Sequence, residues 1–177
     1  QQADLALRWT MHEPTDLLAS LLEVNRATDA DSFKQGMSKW GFPCQNLVFA
    51  DATGDIGYLT PGHVPVRGKG NGLLPAPGWD SEYDWQGRVE TAVSPQIDNP
   101  PEGFIVTANN RVVGPDYSHL LTAEWLHPYR ANRIEERLTE TANHTVADSC
   151  DVQLDVQSTL APQFLPLALQ HVPRQSW

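Results

Sequence analysis

The sequence predicts an α+β fold, in which helices near both ends of the chain flank a β-rich stretch. Four leucines between residues 17 and 22 recur at helical spacing, and Ile134 and Leu138 repeat that spacing in the second half. Two β-rich runs, residues 47–50 and 56–59, surround a glycine-containing turn. These three observations favour helices and strands that are segregated along the chain.

Two helices are predicted before the β-rich stretch. The first covers residues 15–25, with Thr15 as its N-terminal cap. The second covers residues 31–40, and either Asp31 or Ser32 can cap it.

The central part of the chain predicts less regular structure. Residues 45–60 read as a β-hairpin. The following residues, 61–87, are rich in Gly and Pro, so we expect an ordered loop held by Trp79 and Trp85 rather than strands. A short strand over residues 104–108 is predicted next.

The last third is predicted to be helical. A helix begins near residue 129. Thr145 starts another in a capping-box-like pattern, extending to about residue 158. Pro162 and Pro166 are expected to break or kink the final apolar segment.

Composition sets limits on the partners of the protein. The 177 residues are 40% hydrophobic and 19% charged, which is typical of a folded globular domain. The net charge is −10 and the basic residues are scattered, so we expect neither nucleic acid nor a membrane as a partner. The apolar runs are also far shorter than the ~20 residues of a membrane span.

The two cysteines, Cys44 and Cys150, fit no metal-ligand spacing and no redox motif. They are expected either as buried small hydrophobic residues or as one long-range disulfide.

Residue patterns alone indicate no activity, because no Ser-His-Asp spacing, metal cluster or phosphate loop is visible. A series of short motifs is more informative. In chain order these are LRWT (7–10), PCQNLVFAD (43–51), GDIGY (54–58), GHVPVR (62–67), PGW (77–79), DWQG (84–87), NPPEGF (99–104), TANN (107–110), YRANRI (129–134) and QLD (153–155).

The motifs, in this order, resemble the penicillin amidase family of N-terminal-nucleophile hydrolases. The resemblance implies that residues 1–177 are an interior segment of the large (β) subunit, and so a fragment of the four-layer αββα fold. Family members cleave themselves, and the new N-terminal Ser becomes the nucleophile. Gln1 is not Ser. We therefore expect the nucleophile-bearing N-terminus, the small subunit and the C-terminal part to lie outside this stretch, which alone should be inactive.

The activity implied by the resemblance is that of an acylase. It would remove an acyl group from a small secondary amide, such as a β-lactam side chain, an N-acyl homoserine lactone or an acylated peptide. The α-amino group of the Ser serves as the base, so no His is required, and the six histidines are expected to be structural or on the surface. The alternative is a binding or scaffold relative that kept the fold and lost the nucleophile.

The resemblance also implies site residues. Asn109 matches the asparagine that stabilises the oxyanion, with Asn110 as the fallback; the competing interpretation is a simple turn pair. Arg130 matches an arginine that holds this asparagine, although it could instead be a salt-bridged residue at a helix start. Arg133 is expected to be structural. Arg67 could line the approach to the site or brace its loop.

No cofactor is expected in this stretch, although calcium is common in the family, held mainly by carboxylates from other parts of the precursor, and could be bound by the intact protein. Acidic residues here show no ligand-like clustering, and a family carboxylate expected between Asn109 and Arg130 is not evident around residues 118–120. The expected partners are the small-molecule amide and the remaining precursor segments. Exposed apolar surface could also give a homo-oligomer. The expected location is periplasmic or extracellular.

Overall fold

The structure is a computed structural model that describes residues 4–171. It contains both helices and strands, which confirms the predicted α+β class. The described residues form two compact units. The first consists of residues 4–105 and 112–124, and the second of residues 106–111 and 125–171.

The first unit holds two helices and all the strands found in the described residues. In chain order these are α1 (Leu17–Val24), α2 (Ala30–Met37), β1 (Leu47–Ala50), β2 (Ile56–Leu59), β3 (Pro65–Arg67), β4 (Trp85–Arg88) and β5 (Gln96–Asp98). Short 3-10 turns lie at Thr10–His12, Ser81–Tyr83 and Thr91–Val93.

Aspartates cap both helices of the first unit. Asp16 accepts from Ala19 N at 3.2 Å at the start of α1. Asp29 accepts from Ser32 N at 2.8 Å at the start of α2, and the Ser32 hydroxyl completes a capping box. The predicted caps, Thr15 for α1 and Asp31 or Ser32 for α2, are therefore wrong. In each helix the aspartate directly before the first helical residue accepts from a free N–H group of the first turn.

The central sheet of the first unit has the strand order β1-β2-β5, and both pairings are antiparallel. The β1–β2 pairing, with Leu47 opposite Leu59, confirms the predicted hairpin. Asp51 organises its turn, since its Oδ1 accepts from Thr53 N at 2.8 Å and from Asp55 N at 3.1 Å.

A second antiparallel hairpin, β3–β4, corrects the prediction that residues 61–87 lack strands. The two strands lie about 20 residues apart in sequence, so no local pattern indicates their pairing. Of the two tryptophans expected to hold this loop, Trp79 is 90% exposed and so does not anchor it. Trp85 packs against two arginines, since the guanidinium carbons of Arg8 and Arg67 lie 4.7 and 5.4 Å from its ring centroid.

Small residues allow the two helices of the first unit to pack closely. The hydroxyl of Ser20, which is fully buried on α1, donates to Gly36 O on α2 at 2.8 Å. A Cβ atom at Gly36 would lie only 3.0 Å from Val24. The Phe33 and Phe49 rings, 4.8 Å apart, join α2 to β1, so α2 links the helix pair to the sheet.

The second unit contains three helices: α3 (Tyr129–Thr139), α4 (Val146–Gln153) and α5 (Ala161–His171). The predicted helix start near residue 129 is confirmed. The capping box of Thr145 with Asp148 is confirmed as well, although α4 ends five residues before the predicted end at 158.

The predicted break at the two late prolines is wrong, because α5 continues through both, and the alternative of a kink stays a prediction. Pro162 is the second residue of α5, where the missing N–H would have no partner in the helix anyway. Pro166 lies inside the helix. Its missing N–H costs the helix one internal hydrogen bond without ending it.

The predicted strand over residues 104–108 is also wrong. These residues belong to no sheet, and no strand among the described residues forms a ladder with them. Their apolar, β-branched composition favours an extended backbone, but a strand needs a neighbour to accept its hydrogen bonds.

Both cysteines are free and exposed, so neither predicted alternative holds. Cys44 belongs to the first unit and Cys150 to the second.

An ion-pair network fixes α3 within the second unit. Arg133 Nη2 donates to Asp155 Oδ2 at 2.6 Å, and Arg133 Nη1 donates to Glu136 at 2.7 Å. Arg137 Nε lies 3.7 Å from the same Asp155 oxygen. Arg133 therefore makes the structural contacts expected of it.

The close packing around Gly57 leads to a stability prediction. A Cβ atom at this position would overlap the Phe49 ring, with Cε1 at 2.6 Å. Gly57→Ala should therefore lower the free energy of unfolding by about 1–3 kcal/mol, measured by urea unfolding with tryptophan fluorescence. Gly78→Ala is the matched control, because nothing lies within 4 Å of its added carbon. Equal losses in both variants would contradict this account of the packing.

The carboxyl of Asp155 predicts a pH dependence. Hydrogen bonds from Arg133, and then from the Gln157 backbone, hold its pKa below the ordinary value of 3.8. A depressed pKa contributes stability that is present above the unfolded-state value near ~3.9 and is lost as the pH falls through the folded-state value. The Tm of the parent chain should therefore exceed that of Asp155→Asn by a constant amount from about pH 5 to 7, and this difference should shrink toward pH 2.

Thermal unfolding followed by circular dichroism measures this difference. Asp151→Asn, which changes an exposed aspartate on α4, should show no such trend. A difference between the parent and Asp155→Asn that does not vary with pH would show that the charge of Asp155 is not involved.

Candidate active site

Asn109 lies in the loop segment that belongs to the second unit. Its backbone is left-handed, with φ at 64°, a conformation that asparagine tolerates better than most residues. Its carbonyl oxygen accepts from Leu126 N at 3.1 Å. The backbone is thus held in place while the side chain remains exposed.

Arg130, the second residue of α3, joins Asn109 to the helix. Its Nη2 donates to Asn109 Oδ1 at 2.7 Å and to Ala108 O at 2.8 Å. An arginine can only donate hydrogen bonds, so the amide oxygen must be the atom that faces it. The amide NH₂ of Asn109 is therefore directed away from the guanidinium and can donate to another group.

Asn110 has a different role from its neighbour. Its Oδ1 accepts from Ala108 N at 3.0 Å, and its Nδ2 donates to Arg111 O at 3.2 Å. Both bonds are local side-chain to backbone contacts of the kind that stabilise a turn. Of the Asn109-Asn110 pair, Asn110 thus makes the turn contacts, and Asn109 presents its amide to Arg130.

The surroundings of Asn109 favour negative charge. The guanidinium of Arg130 carries a full positive charge beside the amide. Arg130 also lies in the first turn of α3, where the helix dipole is positive. A negatively charged oxygen that accepts from the Asn109 NH₂ would be stabilised by the hydrogen bond and by both positive potentials.

Arg67 is in the first unit, whereas Asn109 and Arg130 are in the second. Its guanidinium lies against Trp85, as its loop-bracing alternative requires. A role for Arg67 in lining the approach to the site stays a prediction.

His63 belongs to the first unit, whereas Asn109 and Arg130 belong to the second. It is partly buried near Glu13 and Arg88, with Arg88 Nη1 3.4 Å from Nε2. Burial and then the charge of Arg88 lower its pKa, against an opposing effect of Glu13, so the ring is neutral at pH 7. These contacts fit the structural role expected for the histidines.

A cavity of about 480 Å³ lies between α3 and the segment at 152–160 within the second unit. Its lining is mainly apolar and includes Ile134, Val152 and Leu160, with Arg130 at one side. The helix and this segment are therefore not closely packed here, and polar contacts hold them together.

Two residues that contribute to this arrangement were not predicted from the sequence. Asp155 binds Arg133, and the Thr159 hydroxyl donates to Tyr129 O at 3.1 Å. Asp155 belongs to the QLD motif, which is the one signal that could have drawn attention to it. Its partner lies 22 residues away, so the spacing does not reveal the pair.

Within residues 4–171, no group of three or more His, Cys, Asp or Glu side chains is arranged to hold a metal ion. The same residues include no helix long and apolar enough to cross a membrane.

Comparison with known proteins identifies relatives over nearly the whole chain. The sequence profile of the family described as Penicillin amidase matches residues 1–176. Penicillin acylase 2 proenzyme from Pseudomonas sp. (strain SE83) is 38% identical over 161 residues, which is 90% of this chain and 20% of that protein. Acyl-homoserine lactone acylase QuiP from Pseudomonas aeruginosa is 35% identical over 155 residues, 87% of this chain and 18% of that protein.

A solved structure shows the same architecture. Thermostable penicillin G acylase from Alcaligenes faecalis matches with a TM-score of 0.69 and 26% identity, over 90% of this chain and 30% of that one. The chain spans about a fifth of the length of the curated relatives it matches. On the family profile, the relatives and the shared fold, the chain belongs to the penicillin amidase family and has an α+β fold that corresponds to part of an N-terminal-nucleophile hydrolase.

Proposed function

We propose that the protein containing this chain is an amide hydrolase that removes an acyl group from a small secondary amide. The hydrogen bond from Arg130 to Asn109 Oδ1 carries the proposal, because it leaves the amide NH₂ as a fixed donor beside a positive charge. Relatives named penicillin acylase and acyl-homoserine lactone acylase support it. β-Lactam side chains, N-acyl homoserine lactones and acylated peptides are the proposed substrate classes.

The proposed reaction needs a nucleophile that acts together with these donors. We place it on an N-terminal Ser contributed by a part of the large subunit outside this interior stretch, which alone is then inactive. The Ser hydroxyl attacks the amide carbonyl, and its own α-amino group, with a pKa near ~7.7–8.0, takes the proton. Negative charge then develops on the carbonyl oxygen, which Asn109 stabilises by donating its N–H.

Solvent exposure of the site supports a role for the remaining protein. Asn109 and Arg130 are both exposed in this chain. Hydrogen bonds to a developing charge are stronger where water is excluded. The rest of the precursor, including the small subunit, is proposed to cover the site and complete it.

Two further parts of the proposal concern calcium and location. Any calcium in the intact protein is proposed to be held mainly by carboxylates outside this stretch, in which the described residues include no group of three or more potential ligands. Metal analysis of the intact protein tests this. The proposed location is periplasmic or extracellular, and recovery of the protein only from the cytoplasmic fraction would contradict it.

Asn109 variants test the central proposal. In the intact, processed protein, Asn109→Ala should lower kcat roughly 100- to 1,000-fold, about 2.7–4 kcal/mol, with little change in KM, because the lost donor acts on charge present only during reaction. Asn109→Asp should lower kcat further, since it removes the donor and places a negative charge against the oxyanion. Steady-state kinetics measures both.

Maturation must be confirmed first, because an unprocessed precursor is inactive for another reason. Asn132→Ala, an exposed asparagine on α3, is the matched control and should keep parental kinetics. Normal maturation and near-parental kcat in both Asn109 variants would show that Asn109 is only a turn residue. A protein that matures but hydrolyses no amide would instead support the scaffold alternative.

The exposed apolar surface gives a separate prediction. Four apolar residues of α5 are 54–61% exposed: Phe164, Leu165, Leu167 and Leu169. Apolar surface of this kind favours association. The isolated chain should therefore self-associate in size-exclusion chromatography with light scattering, and co-expression with the rest of the precursor should suppress this. A monomeric isolated chain at all concentrations would count against a covered interior segment.

A further inference from the structure

We infer that Asp155, assisted by Thr159, is a positioning residue for the candidate oxyanion site: it anchors α3 so that Arg130 stays within reach of Asn109. This inference rests on the proposed function of Asn109. Asp155 does not touch Asn109 or Arg130, and acts through the helix that carries Arg130.

The helix geometry connects the two contacts. Arg130 and Arg133 are three residues apart on α3, so their side chains leave neighbouring positions on the helix surface. Arg130 binds Asn109, and Arg133 binds Asp155 through both carboxylate oxygens, with Nε 3.2 Å from each and Nη2 2.6 Å from Oδ2. A two-oxygen contact fixes direction as well as distance.

The carboxylate is itself held in place before it binds the helix. Asp155 Oδ1 accepts from the backbone N–H of Gln157 at 2.9 Å. Its side chain is 15% exposed and that of Arg133 is 14% exposed, so water covers little of the pair. Removing one partner would leave the other charge mostly desolvated and unpaired, which costs more than losing a surface ion pair.

The polar contacts link α3 to the segment that lines the cavity with it. A cavity of about 480 Å³ is lined both by α3 and by the segment at 152–160, so side-chain packing between them is incomplete on this side. The second polar link is the bond from the Thr159 hydroxyl to Tyr129 O, directly before Arg130. Both links come from the same short segment and bear on the first turns of α3.

A double-mutant cycle in the intact, processed protein tests the inference. The assay uses penicillin G or an N-acyl homoserine lactone, whichever the parent hydrolyses. Asp155→Asn should lower kcat roughly 10- to 100-fold with KM unchanged, because a shift of about 1 Å in a catalytic group has an effect of this size. In the Asn109→Ala background the same change should have little further effect, since the group it positions is gone.

Controls separate positioning from general destabilisation. Asp151→Asn, on the neighbouring helix and exposed, should keep parental kcat. Asp155→Glu keeps the charge and should retain more activity than Asp155→Asn. Thr159→Val replaces the hydroxyl by a methyl group of similar size. It repeats the cycle if Asp155→Asn fails to mature, and it should likewise have little further effect in the Asn109→Ala background.

The outcomes distinguish this inference from the proposed function. An equal fold-loss from Asp155→Asn with and without Asn109→Ala would show a merely structural role and overturn the inference alone. Parental kcat in Asp155→Asn would do the same. Parental kcat in Asn109→Ala would overturn the proposed oxyanion role of Asn109, and the positioning role of Asp155 with it.

Discussion

One guanidinium nitrogen organises the second unit of this chain. Nη2 of Arg130 donates to the carbonyl of Ala108 and to the side chain of Asn109, and so ties a loop segment to the first turn of α3. The loop has no strand partner among the described residues to fix it. Without this contact, the Asn109 amide could rotate and exchange its donor and acceptor ends. The chemical identity of the site therefore depends on an arginine that need not touch a substrate.

The Asn109-Asn110 pair shows how adjacent identical residues divide two tasks. Asn110 satisfies nearby backbone groups and shapes the turn, whereas Asn109 takes the left-handed conformation and directs its side chain to Arg130. In the proposed enzyme, the carbonyl to be stabilised is common to every amide substrate. The donor arrangement therefore does not distinguish one acyl group from another. This agrees with relatives whose names refer to different substrates.

Local signals allowed part of this structure to be predicted from sequence. The β1–β2 hairpin and the start of α3 follow from patterns contained within a few residues. The β3–β4 pairing depends on strands separated by a long Gly- and Pro-rich loop, and it was missed. The extended residues 104–108 look like a strand, but a strand exists only when a partner lies beside it.

The candidate site was predicted by motif resemblance rather than by pattern. Asn109 and Arg130 were identified because family motifs surround them, and nothing in their 21-residue separation indicates contact. Asp155 was not identified, because an ion pair between distant residues leaves no periodic signal. Side-chain pairings of this kind depend on tertiary structure, which sequence spacing does not encode.

The second unit is discontinuous in sequence, since residues 106–111 are separated from residues 125–171 by a segment of the first unit. The contacts of Arg130 close a loop of about 20 residues. They can form only after the intervening residues have been synthesised and have folded so that Arg130 lies beside Ala108 and Asn109. A truncation that begins at α3 would retain the arginine and lose both of its acceptors. A cut before residue 106 would keep all three residues but also residues 112–124 of the first unit, so no single cut separates the two units, and assembly of the second depends on a contact that is non-local in the folding chain.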